Sequence, residues 1–341
     1  MKWWYLLAFI FISSFALTWA LRRYALARSI IDVPNARSSH SVPTPRGGGV
    51  AIVISFLAIL PLLAVLGTIS WDATWALLGA GGSVAALGFL DDHGHIAARW
   101  RLLGHFAASI WVLYWLGGFA SISFLGVNIE LGWVGHILAM FYLVWLLNLY
   151  NFMDGIDGIA SVEAIFASLG AALLYWVAGF ENLIVLPVVL AVAVSGFLFW
   201  NFPPARIFMG DAGSGFLGIM LGGLSLQAAW ASSSLFWAWL ILLGIFIVDA
   251  TFTLMRRLAR GEKVYEAHRS HAYQFASRKL GAHLPVTLAV AAINIFWLLP
   301  LAGCVVLMGL DGAVGAVIAY VPLVILAVKF RAGELELVSK R

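Results

Sequence analysis

Cysteine is nearly absent. Cys304 is the only one in 341 residues, so no disulfide can close within the chain. It lies inside an apolar run, where it reads as a small buried side chain rather than a reactive thiol. Charge is scarce as well: 11% of residues are Asp, Glu, Lys or Arg, against about a quarter in soluble domains. With 63% hydrophobic residues, the composition excludes an ordinary soluble domain and indicates an integral membrane protein. A cleavable leader is not expected either. The first apolar run exceeds a signal-peptide core, has no small-residue cleavage site, and is followed by Arg22 and Arg23, which read as stop-transfer charges.

What the chain has in quantity is apolar runs close to the roughly 20 residues that cross a bilayer. They fall at about 3–21, 48–66, 74–90, 102–119, 132–149, 159–179, 183–200, 213–230, 235–255, 285–308 and 313–329. The expected fold is therefore all-α and polytopic, a single membrane domain over 1–341 with about eleven transmembrane helices. If the loops alternate sides, every Lys and Arg except Lys2 falls on one side. The positive-inside rule then puts the N-terminus in the periplasm and the C-terminus in the cytoplasm. Topology and lipid attraction account for the basic residues, so no nucleic-acid partner is expected.

The opposite-side loops are short and nearly featureless, so any chemistry belongs to the cytoplasmic loops 22–47, 91–101, 150–158, 201–212 and 256–284. The first brings Arg46 and three glycines, Gly47 to Gly49, to a helix mouth, where free N–H groups favour anions; packing or a hinge would use the same glycines. The second holds Asp91 and Asp92. Two carboxylates at a helix C-terminus repel each other and the helix dipole, so a divalent cation, Arg99 or Arg101 should compensate, unless water does. The third is the most polar junction, Asn148-Leu-Tyr-Asn151-Phe-Met-Asp154-Gly-Ile-Asp157-Gly158, either an exit into water or a site. The fourth places Gly210, Asp211, Gly213 and Ser214 before a helix, as an N-cap or a phosphate nest.

The fifth loop carries His268, Arg269 and His271, spaced for one helical face within a stretch that reads as an amphipathic surface helix. Asp249, inside the preceding apolar run, either has a function or neutralises a nearby Arg. Acids on the middle loops, with His and Arg flanking them, point to one Mg²⁺-dependent site that handles phosphates. A transporter is the rival class. The acids gather at the membrane edge rather than its midplane, however, and no internal repeat is evident.

These motifs resemble the polyprenyl-phosphate N-acetylhexosamine-1-phosphate transferases. They are Asp32-x-Pro34-Asn35-x-Arg37, Asp91-Asp92, Asn151-Phe-Met-Asp154-Gly-Ile-Asp157-Gly, Phe208-Met-Gly-Asp211-Ala-Gly-Ser214 and His268-Arg269-x-His271, in that order over nearly the whole chain. The resemblance implies attack by undecaprenyl phosphate on the β-phosphate of a UDP-N-acetylhexosamine, releasing UMP at the cytoplasmic face of a bacterial inner membrane. Asp91, Asp92 and Asp154 would then be catalytic, and Asp211 and Asn151 would hold Mg²⁺, for which Mn²⁺ is the natural substitute. Phe208 would stack on uracil, and Arg46, Asp157, Gly210, Ser214, His268, Arg269 and His271 would contact substrate. A homodimer is compatible with it.

Two departures bear on the sugar. His95 stands where the family often has Asp, and Ala272, Tyr273 and Gln274 follow His271 where it often has a His pair. They favour the O-antigen-initiating branch that uses sugars of the N-acetylfucosamine or N-acetylquinovosamine kind, with a UDP-N-acetylglucosamine enzyme as the alternative.

Overall fold

The computed structural model describes residues 3–34, 39–40, 42–94, 96–262 and 268–334; Asn35, Arg37 and His95 of the motifs above lie outside them. In chain order the elements begin with α1 (Trp3–Ala27), β1 (Ile31–Asp32), β2 (Thr44–Pro45), α2 (Val50–Leu57), α3 (Leu60–Val65), α4 (Trp71–Gly94) and α5 (Ala98–Leu116). A hairpin, β3 (Ile122–Phe124) and β4 (Val127–Ile129), leads into α6 (Gly132–Met153), α7 (Ile159–Val177), α8 (Val185–Asn201), α9 (Asp211–Ala231), α10 (Ser233–Leu242) and α11 (Gly244–Ala259). The remainder is α12 (Ala272–Leu280), α13 (Leu284–Ile293), a π-helical turn (Asn294–Leu298), α14 (Leu299–Leu307) and α15 (Gly312–Lys329).

Each apolar run is helical, as hydrocarbon requires of a backbone that must satisfy its own hydrogen bonds. Among the described residues eight helices are long and apolar enough to cross a membrane, and a ninth span forms if α10 and α11, bent by 67°, are taken together. The chain is thus a polytopic membrane protein. Two expected continuous helices are broken. Between α2 and α3, Pro61 lacks the N–H that would continue the first helix. Between α10 and α11, the carbonyl of Leu240 accepts from Tyr320 Oη at 2.7 Å, which takes the acceptor that Gly244 N–H would use.

At the centre stands α9, with 94% of its apolar window buried against 22% for α1. In lipid, helices associate through close packing, and small residues permit it. A Cβ on Gly218 would lie 2.6 Å from Leu147 Cα of α6, and one on Gly88 of α4 would lie 2.5 Å from Ala212 N of α9. Helices α4 and α6 therefore lie against the same central helix, and both end beside its N-terminus.

Candidate active site

The N-terminus of α9 organises a polar cluster. Gly210 has φ +79°, and a Cβ there would meet Asp92 Oδ2 at 2.7 Å, so both conformation and space require glycine. Asp92, from the last turn of α4, accepts from Asp211 N–H at 3.0 Å and from Ala212 N–H at 3.5 Å; its side chain is 4% exposed. The α4 carboxylate thus caps α9, where the dipole favours negative charge.

Arg46 lies across this junction. Its Nη2 is 3.0 Å from Asp92 Oδ1 and 2.5 Å from Asp211 Oδ1. It is carried there by backbone pairing: Phe208 N–H donates to Pro45 O at 2.8 Å, Gly48 N–H to Phe208 O at 2.9 Å and Gly49 N–H to Met209 O at 2.9 Å. Asp91 accepts from Ile96 N–H at 2.7 Å and pairs with Arg101, whose Nη1 is also 3.7 Å from Asp211 Oδ2. Arginines from two loops thus offset the adjacent acids, and Arg99 instead lies over the Trp100 ring.

The α6 junction forms the opposite wall. Asn151 Nδ2 donates to Ser214 Oγ at 2.9 Å, which leaves the Asn151 side-chain carbonyl oxygen as its acceptor. Asp154 follows at the C-terminus of α6. Desolvation raises its pKa well above the carboxylate range; Arg46 opposes this, and Asp211, Asp92 and Asp157 add to it. Asp157 orients the turn: its carboxylate accepts from Ala205 N–H at 3.0 Å and lies 3.1 Å from His283 Nδ1.

Three cavities meet here. One of about 220 Å³ is lined by Arg46, Asn151, Asp154, Asp157, Phe208 and Asp211. It shares Phe208, His40, Asp157 and His283 with a wider cleft of about 560 Å³. The third, about 150 Å³, lies between α4, α5 and α6 on the other side of Asp211; Asp91, Arg101, His105, Asn148 and Asn151 supply its polar lining.

The glycosyl transferase family 4 model matches residues 74–229, which carry Asp91, Asp92, Asn151, Asp154, Phe208 and Asp211. A probable undecaprenyl-phosphate N-acetylglucosaminyl 1-phosphate transferase of Bacillus subtilis is 30% identical over 258 residues, 74% of this chain and 71% of the relative. The chain belongs to glycosyl transferase family 4. A decaprenyl-phosphate N-acetylglucosaminephosphotransferase of Mycolicibacterium smegmatis is also 30% identical, over 77% of this chain and 72% of its own length. So is a phospho-N-acetylmuramoyl-pentapeptide-transferase of Geobacillus kaustophilus, over 69% and 75%.

In this family 4 protein ten of the expected site residues come together: Arg46, Asp91, Asp92, Asn151, Asp154, Asp157, Phe208, Gly210, Asp211 and Ser214. His268, Arg269 and His271 do not line the cavities; Gln274 and His283 do. The expected single helical face through His268 and His271 is also absent, because α12 begins only at Ala272. Their rings still stack, with centroids 4.8 Å apart. Burial first, then His271 and Arg257, lower the pKa of His268 to about 3. Nor does α12 lie free as a surface helix, since Tyr273, Gln274, Ala276 and Ser277 are buried against the protein.

Sequence reasoning missed His40, Asn201 and His283. His40 packs its ring 4.7 Å from that of Phe208. Asn201 ties two loops, accepting from Gly158 N–H at 3.0 Å and donating to Ile207 O at 3.0 Å; its place before Pro203-Pro204, ending an apolar run, was the available signal. Nothing around His283 marks it in the sequence.

Among the described residues no three Asp, Glu, His or Cys side chains converge on one point. The donor set nevertheless fits a hard divalent cation. Three carboxylates, Asp91, Asp92 and Asp211, face two guanidiniums, and oxygens of Asp92 and Asp211 already converge on one cationic nitrogen of Arg46.

Proposed function

We propose that this protein transfers an N-acetylhexosamine 1-phosphate from a UDP-sugar to undecaprenyl phosphate, releases UMP, and so initiates a lipid-linked O-antigen or related surface polysaccharide. One observation carries the reading: carboxylates from the end of α4 and the start of α9 meet Arg46 and Arg101 between two chambers that share Asn151 and Asp211. Such an arrangement suits a reaction that joins two phosphates arriving from different sides. The donor's diphosphate would lie by Arg46, with uracil against Phe208 and His40 in the wide cleft. The acceptor phosphate would enter between α4, α5 and α6, where Leu102, Leu147 and Phe152 give an apolar wall below Arg101 and Asn148.

A phosphate monoester has a second pKa of about 6, so the acceptor is largely dianionic at pH 7 and needs little help from a base. Its oxygen attacks the β-phosphorus, the bond from that phosphorus to the bridging oxygen breaks, and UMP leaves with the electron pair. Asp91 or Asp92 orients the attacking phosphate, while Arg46 offsets charge on the leaving group. Mg²⁺, or Mn²⁺ in its place, would neutralise the diphosphate when bound. Asp211, with Asp92 and the carbonyl oxygen of Asn151, would hold it.

The topology belongs to the same proposal: eleven spans in a bacterial inner membrane, N-terminus periplasmic, C-terminus cytoplasmic, and one domain whose five cytoplasmic loops form the active site. For the sugar there are two readings. Gln274, standing where the family often has His, lines the donor cavity, which supports a 6-deoxy N-acetylhexosamine. The similarity to the N-acetylglucosamine-transferring relatives of Bacillus and Mycolicibacterium supports N-acetylglucosamine. The test is to incubate purified protein and undecaprenyl phosphate with a panel of UDP-N-acetylhexosamines, with and without Mg²⁺, and score UMP. The sugar that yields UMP decides between the two readings, and no UMP from any of them refutes the function.

A further inference from the structure

The only acid of α11, Asp249, is buried at 6% exposure and hydrogen-bonded on both oxygens. Oδ1 accepts from Ala272 N–H at 2.9 Å and from Thr253 Oγ1 at 3.1 Å, and lies 3.3 Å from His271 Nδ1; Oδ2 accepts from Tyr273 N–H at 3.0 Å. Gln274 Oε1 accepts from the His271 N–H at 3.2 Å, and the carboxylate from the membrane helix takes the next two N–H groups, of Ala272 and Tyr273, at the N-terminus of α12. The arrangement has a second consequence. A carboxylate that accepts from Nδ1 holds a proton on that nitrogen and fixes the orientation of the ring.

The first turn of α12 leads directly to the reaction centre. Tyr273 Oη donates to Phe152 O at 3.0 Å and would stand 2.1 Å from a Cβ on Gly155, the neighbour of Asp154. Gln274, next along, lines the cavity that holds Asp154 and Asp211. The His271 ring stacks on His268 and lies near-parallel to Phe152, centroids 6.5 Å apart.

We propose that Asp249 is a positioning residue for the transfer reaction: it sets the tautomer of His271 and seats the first turn of α12 on the Asp154 turn. The proposal rests on the reaction inferred above, and its test separates the two. Asp249→Asn keeps an oxygen to accept from Tyr273 N–H but sets an amide NH₂ in the place of Oδ1, facing Nδ1 and the Ala272 N–H. The variant should stay folded and lose kcat by roughly 10- to 100-fold with little change in KM for the UDP-sugar. In ¹⁵N-histidine NMR of the detergent-solubilised full chain, the His271 signals, assigned by their loss in His271→Asn, should change from the Nδ1–H to the Nε2–H pattern. A double variant, Asp249→Asn with His271→Asn, should be no slower than His271→Asn alone, because both act through one ring.

Asp249→Asn turning over at the wild-type rate, an unchanged His271 tautomer, or additive losses in the double variant would each overturn the proposal. A wild-type protein that releases no UMP would sink the transfer reading instead, and the NMR comparison would still judge the Asp249–His271 pair.

Discussion

Gly88→Ala tests whether the contact of α4 with α9 builds the site. A Cβ at this position would lie 2.5 Å from both Ala212 N and Asp211 C, backbone atoms that cannot swing aside, whereas ordinary contact begins at 3.4 Å. The two helices must part by about 0.9 Å at the level of the acidic cluster. Asp92 is four residues further on, and its 3.0 Å bond from Asp211 N–H would stretch to about 3.9 Å, beyond hydrogen-bonding range. Overpacking costs about 1–3 kcal/mol, and a hydrogen bond to a charged group about 1.5–3 kcal/mol. For catalysis the displacement matters more, since misplacement by about 1 Å is enough to lose about 100-fold in rate. The assay is UMP release together with the thermal midpoint in detergent. Gly82→Ala, on the same helix, is the control: its Cβ comes no nearer than 4.0 Å to Leu57, so it should leave rate and midpoint unchanged or gain slightly from helix propensity. Gly88→Ala with wild-type turnover and midpoint, or an equal loss in Gly82→Ala, would refute the reasoning.

Asp91→Asn, Asp92→Asn and Asp211→Asn should each lower turnover by about 100-fold or more while the protein still elutes as a folded species, because each removes charge from the phosphate-handling cluster; near-normal Asp211→Asn activity would end its role as a metal holder. The ring nitrogens of His283 face two acceptors, Asp157 Oδ1 at 3.1 Å and Ser39 O at 3.0 Å. Burial lowers the pKa of His283, but the hydrogen bond and charge of Asp157 and the Ser39 carbonyl outweigh it and raise it above the ordinary value. The stabilisation from this imidazolium is therefore full below about pH 6.5 and is lost as pH rises through the folded-state value. The thermal midpoint of His283→Gln should accordingly fall less than that of the wild type over that rise, and parallel profiles would count against the bridge. Glu163 is fully buried in α7 and accepts from Asn294 Nδ2 at 2.7 Å, while Glu163 Oε1 and Asn294 Oδ1 lack partners among the described residues. Glutamine matches a neutral glutamic acid in shape and keeps an oxygen for Asn294 Nδ2, so Glu163→Gln should preserve the thermal midpoint and Glu163→Ala should lose about 1–3 kcal/mol; equal losses would mean that Glu163 is ionised.

Hydrophobic runs revealed every long helix, because apolar length is what hydrocarbon selects. The acids of the site were visible for the converse reason: Asp91, Asp92, Asp154 and Asp211 are costly residues at the ends of such runs and need a use. What pairs with what was not visible. Arg46 reaches Asp211 across 165 positions of sequence, and no local periodicity encodes that contact. The kink at Gly244 depends on a hydroxyl from Tyr320, far along the chain. His268 and His271 illustrate a different failure. Their spacing suggested a helical face, but Asp249 starts α12 at Ala272 and leaves both rings before it. Spacing predicts a shared face only where the backbone is helical, and here a tertiary cap decides where that begins.

The cluster is also inseparable from the packing of α9. Asp92 reaches the α9 N–H groups because Gly88 brings the α4 backbone against Asp211 and Ala212, and Asn151 reaches Ser214 because Gly218 accepts the backbone of Leu147 one turn below. On the far side, Gly49 and Gly213 approach so closely that a Cβ on either would lie within 2.6 Å of the other's Cα, which carries the start of α2 and the adjoining Arg46 loop in against Asp211. Glycine in a helix interior costs about 0.5–1 kcal/mol relative to alanine, so three such approaches converging on one helix are a net expense to helix propensity. That expense is offset where the approach brings carboxylates, an amide and a guanidinium within reach of one another, as it does at the N-terminus of α9. Further along α9 the neighbours are side chains rather than backbone: a Cβ on Gly222 would meet Leu143 Cδ2 at 2.7 Å, and one on Gly223 would have ordinary contacts of 3.4 and 3.8 Å to Leu77 and Val112. The backbone-to-backbone approaches of α9 thus lie in its N-terminal half, the half whose N–H groups face the acids, which is the pattern expected if helix packing is what aligns the reacting phosphates.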